Sequence, residues 1–414
     1  MQKYYLLFAT LLAALALKAQ QPAVYTLASP DKKLQLTVTA GPILQWQVQQ
    51  QQQTILAPSA IGLQLSSGEL LGKQAQVKKA TTLSVNETIQ AVAYKKQTIS
   101  NLYNQLTLQF KGDYGIVFRA YNDGVAYRFV TSRKTNFTIA NELAEYNFDK
   151  DYRAYIPHVS DLRGGERYSC SFEEFYTDTN ITAFNKDTLG YLPLLVKLDN
   201  NIKAVLLEAD VQNYPGMFVK AGNGHTPGLT AAFAGYPLTE KLGGYNNINY
   251  MVSSRADYIA AVNGTTQLPW RAIVISEQDK TLLNNDMVQR LSAPPVQKEL
   301  SWIKPGKVAW DWWNDWNISN VDFKAGINTQ TYQYYIDFAA ANHLEYVILD
   351  EGWSDDWNLN IIKPVINLQQ LVAYAKQKNV GIILWSTWYA ITRDTEALCA
   401  KYAAMGIKGF KVDF

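Results

Sequence analysis

The chain has 414 residues, 48% hydrophobic and 18% charged, with 38 basic and 36 acidic side chains for a net charge of +2. That length calls for two or more domains, and the composition excludes a disordered chain, which combines low hydrophobicity with high net charge. The near-neutral balance argues against a nucleic-acid partner or an anionic membrane surface, both of which need a clustered basic excess.

Lys3 precedes an apolar run over residues 4–17, and the small Ala19 follows before Gln20. These are the three regions of a secretory signal peptide, assigned to residues 1–19. The run is about 14 residues, against the roughly 20 that a spanning helix needs. No membrane anchor is therefore expected after cleavage, and the mature chain is expected outside the cytoplasm. The two cysteines, Cys170 and Cys399, fall in different predicted domains and are expected as free, buried thiols. His158, His225 and His343 do not converge in sequence, so a histidine metal site is not expected.

Residues 20–295 read as one large β-sandwich domain. Short alternating runs separated by turn signals appear at 24–28, 34–38, 192–198, 203–208 and 270–276. The clearest hairpin joins runs 115–120 and 125–130 through Asn122-Asp123-Gly124, residues that tolerate the positive φ of a tight reversal. The glutamine-rich stretch from Gln47 to Gln53 reads as a hairpin tip or an exposed edge. Residues 296–305 form a linker.

From residue 306 the rhythm changes to strand and helix in alternation. Strands are expected at 308–312, 346–349, 380–385 and 407–412, and helices at 331–342, 368–378 and 392–405. Continuous apolar strands alternating with helices mean a parallel sheet buried on both faces. A doubly-wound dinucleotide fold would place a glycine-rich phosphate loop after an early strand; these strand ends carry acids and tryptophans instead. The expected fold class is therefore multidomain β plus α/β: the sandwich, then the first half of a (β/α)8 barrel. A closed barrel takes about 250 residues, so the catalytic domain is expected to continue beyond Phe414, and the chain as it stands is expected to be inactive.

In a barrel enzyme the site forms at the C-terminal strand ends. The four ends read Asp311-Trp312-Trp313-Asn314-Asp315-Trp316, Asp350-Glu351-Gly352-Trp353, Trp385-Ser386-Thr387-Trp388 and Lys411-Val412-Asp413-Phe414. Nine of the eleven tryptophans lie between Trp302 and Trp388, which fits a carbohydrate pocket with aromatic walls and acidic hydrogen-bond partners. Glycoside hydrolysis needs two carboxyl groups about the scissile bond. Asp413, at the end of a buried strand, is the candidate catalytic nucleophile. Lys411, two residues earlier and so on the same strand face, would keep it ionised. A strand-end aspartate can also cap the next helix. The candidate substrate-binding residues are Asp311, Trp313, Asp350, Glu351, Trp353, Trp388 and Lys411. Asp350 and Glu351 either contact substrate or order their loop, and Trp353 and Trp388 either face the pocket or fill the core.

At these residues the sequence resembles glycoside hydrolase family 97. The segments that carry the resemblance are KVAWDWWNDW from Lys307 to Trp316, YVILDEGW from Tyr346 to Trp353 and GFKVDF from Gly409 to Phe414. The resemblance implies an exo-acting bacterial α-glycosidase, mostly periplasmic, with an oligosaccharide or α-glycoside substrate. It also implies a calcium ion (Ca2+) at the active site. One branch of the family inverts and acts on α-glucosides. The other retains, places an aspartate at the end of the fourth strand, as Asp413 is placed here, and is associated with α-galactosidase activity. The acid/base glutamate and most calcium ligands are implied beyond Phe414. One calcium ligand is implied in the sandwich, where Glu208 matches; by itself Glu208 reads as a surface strand residue. The rival readings are an α-glucosidase and a non-catalytic carbohydrate-binding protein.

Overall fold

Apolar side chains at every second residue set the first part of the fold. Leu34, Leu36 and Val38 are buried along strand Leu34–Ala40, and Leu44, Trp46 and Val48 along Leu44–Gln50. In the computed structural model, residues 22–414 are described except 160–165, 170–171, 173, 223 and 225. The signal-peptide reading of residues 1–19, Cys170 and His225 thus lie outside the described residues.

Among the described residues the β-strands build two large antiparallel sheets, one of nine and one of ten strands. Their inner faces share one core, in which Trp46 of the first sheet meets Tyr127 of the second, with Tyr146 and Phe118 packed beside them on their own sheets. This is the expected sandwich. The predicted hairpin is present as Tyr114–Tyr121 and Gly124–Ser132, with Tyr121 paired to Gly124. The glutamine-rich stretch is a hairpin tip: Gln50 pairs with Gln53, and Gln51 takes the left-handed φ of 54°. Two short helices, Asp279–Leu282 and Met287–Leu291, close the domain.

The second part is a sheet of four parallel strands in sequential order, Val308–Trp310, Tyr346–Leu349, Gly381–Thr387 and Gly409–Asp413. Helices Thr329–Ala341, Leu368–Gln377, Trp388–Thr392 and Thr395–Met405 link them. Sequential parallel strands joined by helices make this a partial α/β unit. Side-chain caps start the helices: Asn328 accepts from the Thr331 amide at 2.9 Å and Asn367 from that of Gln370 at 3.1 Å.

Three expectations change. The first parallel strand stops at Trp310, because Asp311–Asn314 winds into a 3₁₀ turn. The predicted helix 392–405 starts later, as Thr395–Met405, since Asp394 caps it by accepting from the Ala397 amide, and a short unpredicted helix, Trp388–Thr392, precedes it. Cys399 is exposed rather than buried. Leu398 and Tyr402, four residues apart, form the buried stripe of that helix, and the next residue is rotated away from it.

One ion pair bridges the two sandwich sheets. Arg271, on strand Trp270–Ser276, donates to Glu142, on strand Phe137–Asn147, through Nε at 2.8 Å and Nη2 at 2.7 Å. The Tyr214 hydroxyl donates to the same carboxylate at 2.9 Å. Arg271 and Glu142 side chains are 1% and 3% exposed. Removing one partner of so deeply buried a pair leaves a charge without compensation, at a cost of about 3–5 kcal/mol. Arg271→Ala is therefore expected to lower the urea midpoint of the sandwich by that much stability, followed by far-ultraviolet circular dichroism. A loss below about 1 kcal/mol would show that water reaches Glu142 and compensates it.

Candidate active site

All four parallel strand ends meet in one hydrogen-bonded chain. Trp310, closing the first strand, donates its Nε1 to Asp350 Oδ2 at 2.5 Å. Asp350, just past the second strand, receives Lys411 Nζ on the same oxygen at 2.7 Å. Lys411, in the fourth strand, also lies 3.3 Å from Asp413 Oδ2. Trp385, in the third strand, donates its Nε1 to that Asp413 oxygen at 3.2 Å. The two-residue strand period puts Lys411 and Asp413 on one face. The register pairs Trp385 with Lys411 and Thr387 with Asp413.

Asp413 is therefore oriented by a fixed indole and an ammonium while its side chain stays 39% exposed. Its Oδ1 accepts the Phe414 amide at 3.1 Å. The Lys411 ammonium also sits 4.7 Å from the centre of the Trp310 ring, a cation–π contact that fixes it from a further side. Trp312 and Trp313 stack on Trp310 at 5.3 and 6.3 Å. Trp313 is 79% exposed, so a flat aromatic surface opens beside the acids. Trp388 lies exposed in the first turn of helix Trp388–Thr392, next to the third strand end.

Two expected sugar-binding acids are buried and already hydrogen-bonded within the protein. Asp311 is fully buried: Oδ1 accepts the Trp312 amide at 2.9 Å, and Oδ2 accepts Trp316 Nε1 at 2.8 Å and the Asp350 amide at 3.3 Å. Burial pushes its carboxyl above the ordinary aspartate value, against the bonds from Tyr332, Asp350 and Trp316. It holds a turn in which Asp315 and Trp316 both adopt left-handed φ, near 50°, a conformation that needs such anchoring. Asp350 is likewise buried, with Oδ1 on the Glu351 amide and Oδ2 shared by Trp310 and Lys411. Asp311 organises its turn, and Asp350 its loop and the Lys411 ammonium.

Trp353 is corrected too. It is 0% exposed in the core of the parallel sheet, its Nε1 donating to the Trp385 carbonyl at 2.9 Å. Gly352, at a φ of 109°, makes the turn that sends it inward, and a Cβ there would stand 2.6 Å from Ile327 Cδ1. Glu351 is half-buried. Burial and the neighbouring Asp356, Asp350 and Asp413 raise its carboxyl pKa, while a hydrogen bond from Tyr245 pulls it down.

Glu208 is not the surface residue that its strand position alone predicts. Its Oε2 lies 2.6 Å from Arg271 Nη1, and the Met217 amide donates to both oxygens at 3.0 and 3.1 Å. Burial raises its carboxyl pKa, against the pull of Arg271. A carboxylate oxygen is the right donor for calcium, which takes six to eight oxygens, but the guanidinium already claims one of the two. Among the described residues no group of three or more His, Cys, Asp or Glu could hold a metal ion. Glu208 thus fits as a single ligand and does not make a site alone.

Sequence reading missed Trp310, Trp385 and Tyr245. Trp310 and Trp385 stand in the quoted strand-end segments, yet only their indole N–H directions reveal what they orient. Tyr245 comes from the sandwich domain, more than a hundred residues from Glu351, and carries no sequence signal.

Comparison with known proteins follows from this geometry. The family described as glycosyl-hydrolase 97 N-terminal matches residues 27–294, and that described as glycoside hydrolase 97 matches residues 312–414. A retaining alpha-galactosidase of Bacteroides thetaiotaomicron is 43% identical over 419 residues, covering 100% of this chain and 63% of that protein. A glycoside hydrolase family 97 enzyme of Pseudoalteromonas sp. strain K8, solved with acarbose, superposes with a TM-score of 0.78 at 22% identity, over 94% of this chain and 59% of its own. A beta-arabinopyranosidase structure superposes with a TM-score of 0.77 at 21% identity, over 94% and 62%. The chain therefore spans less than two thirds of each of these proteins. With a sandwich, a four-stranded parallel sheet and both family segments in place, the chain belongs to glycoside hydrolase family 97.

Proposed function

We propose that the protein is an exo-acting, retaining α-glycoside hydrolase, and within that class an α-galactosidase. The observation that carries the reading is Asp413: a partly exposed carboxylate at the end of the fourth parallel strand, aimed by Trp385 and Lys411. In the first step an Asp413 oxygen attacks the anomeric carbon. The glycosidic C–O bond breaks, and a carboxylic acid protonates the leaving oxygen. Water then attacks the glycosyl ester, giving up its proton to the same acid/base group, and the Asp413 carboxylate is freed. The resemblance assigns that acid/base to a glutamate of a later barrel strand, and no described residue is given the role.

Trp313 and Trp388 offer faces for the C–H surface of a sugar ring, and Lys411 and Glu351 offer polar contacts to its hydroxyls. Calcium belongs to the proposal as an ion that lends positive charge at a sugar oxygen when bound, with Glu208 as the residue of this chain that would hold it. The apolar N-terminus supports export to the periplasm. The galactoside reading rests on the Bacteroides relative, whose printed activity is that of a retaining alpha-galactosidase. An α-glucosidase differs by the handedness of one hydroxyl, which a polar site can discriminate strongly.

In the full natural protein, hydrolysis of an aryl α-galactoside followed by proton NMR should release the α-anomer first. First release of the β-anomer would remove Asp413 from the nucleophile's role. Asp413→Asn should lower kcat by more than about 10³-fold, the scale on which enzymes lose a nucleophile. A chelator should lower turnover and added calcium restore it; turnover indifferent to both would take Glu208 out of metal binding. Asp350 and Lys411 should act as a unit. A double-mutant cycle on kcat/KM between Lys411→Met and Asp350→Asn should show coupling of about 1–3 kcal/mol, whereas additive losses would mean that Lys411 works independently of Asp350.

A further inference from the structure

A cavity of about 480 Å³ opens between the loop after the second parallel strand and the helices after the third. Its walls include Trp357, Asn358 and Asn360 from the loop, and Arg393, Asp394 and Lys401 from the helix junction. Both flanking strands are interior to the four-stranded sheet. The cavity stands close to Asp413. Thr387 pairs with Asp413 across the sheet, and its hydroxyl donates to the Asp356 carbonyl at 2.8 Å, one residue before Trp357. Neighbouring strands lie about 4.8 Å apart, so the Trp357 backbone begins on the order of 10 Å from that of Asp413.

The loop is braced from within. Ser354 bridges to Ile362. The Trp357 amide donates to Asp355 Oδ1 and the Asn360 amide to Asn358 Oδ1, each at 3.0 Å. The buried Tyr402 hydroxyl donates to the Leu359 carbonyl. Tyr389 supports the rim: Trp357 meets its ring at 5.8 Å with an interplanar angle of 74°, and the Arg393 guanidinium lies 5.6 Å from its centre. A β-ribbon of the sandwich domain, strands Pro237–Gly243 and Asn249–Arg255, reaches the same ring through Tyr250 at 5.8 Å. The ribbon tip carries Ile248, buried in the core of the parallel sheet, and Tyr245, stacked on Phe414 at 5.6 Å. A cavity shaped before its ligand arrives loses little ordering entropy on binding.

Its chemistry suits a neutral polyhydroxylated ring. Trp357 is 41% exposed and offers an apolar surface. The charges are partly committed: Lys401 Nζ donates to Asn360 Oδ1 at 2.7 Å, Arg393 Nη1 to the Trp357 carbonyl at 3.4 Å, and Asp394 caps its helix. The side-chain oxygens of Asn358 and Asn360 are thus engaged, and their amide N–H groups remain for a ligand. We infer that this cavity is a second carbohydrate subsite, which takes the leaving-group side of an oligosaccharide whose terminal sugar sits at Asp413. The inference rests on the glycosidase reading for the ligand class and adds where the rest of the substrate lies.

The test uses the full natural protein carrying Asp413→Asn, which leaves substrate uncut, alone and combined with Trp357→Ala or Trp357→Phe. Calorimetry follows an α-galactosyl trisaccharide against galactose, and maltotriose against glucose. With Asp413→Asn alone, the trisaccharide should bind at least about 5-fold tighter than its terminal sugar. Trp357→Ala should cut that margin to about twofold or less, the scale of one lost apolar contact, and Trp357→Phe, which keeps a ring, should retain most of it. No margin for either trisaccharide, or a margin that survives Trp357→Ala, overturns the inference. So does equal loss in both Trp357 variants with a shared fall in melting temperature, the mark of a residue that only props the loop. A wild-type protein that turns over no aryl α-galactoside, beside a Trp357-dependent margin for either trisaccharide, sinks the activity reading and leaves this one standing.

Discussion

Lys411 holds one ammonium between two carboxylates, and the geometry of the strand ends follows from that. On one side it meets Asp350, which is buried and carries the indole N–H of Trp310 on the same oxygen. On the other it approaches Asp413, which takes the indole N–H of Trp385. Each of the first three strand ends contributes one group to this line and the fourth contributes two, so the ends are fixed relative to one another by directed contacts as well as by backbone pairing. The buried carboxylate tolerates its position because the charge beside it and the indole N–H satisfy it. The outer carboxylate stays partly exposed, with Oδ2 held by Trp385 and Lys411 and Oδ1 on the Phe414 amide.

A second ion network governs the sandwich. Arg271 joins Glu142 on the facing sheet to Glu208 across its own, and aromatic rings of Tyr214 and Phe233 lie 5.7 and 5.1 Å from its guanidinium. The arrangement fixes Glu208 within the sandwich, so any ion that this carboxylate helps to hold would be tied to the sandwich framework. The ribbon carrying Tyr245 makes a second connection in the other direction, from the sandwich to the parallel sheet. Neither device lies on the strand ends themselves, yet both bear on what can be built there.

Much of the layout was legible because it depends on short-range periodicity. A two-residue period buries alternate side chains and gave the sandwich strands. Continuous apolar runs alternating with helical stretches gave the parallel unit, and the acids and tryptophans at strand ends gave Asp413, Lys411, Trp313 and Trp388 their places. The misses share a cause as well. Asp311 and Asp350 read as ligands for hydroxyls because sequence shows a carboxylate but not whether its oxygens are already taken. Trp353 stays open between pocket wall and core because sequence does not show which way the turn at Gly352 sends it. Helix 392–405 reads three residues too early because sequence does not show that Asp394 caps the helix from outside it, and only the folded backbone shows where the first turn begins.

By itself the amino-acid sequence determined the order of the elements, the family segments and the shared face of Lys411 and Asp413, since these are consequences of spacing along the chain. Tertiary structure alone decided which acids remain open, that Trp310 and Trp385 orient the two carboxylates, that Glu208 is paired with Arg271, and that a sandwich tyrosine stacks on Phe414. The physical reason is that hydrogen bonding and burial are pairwise and directional in space. Trp385 and Asp413, or Asp350 and Lys411, meet only after the chain has folded back on itself, and no local pattern records that meeting.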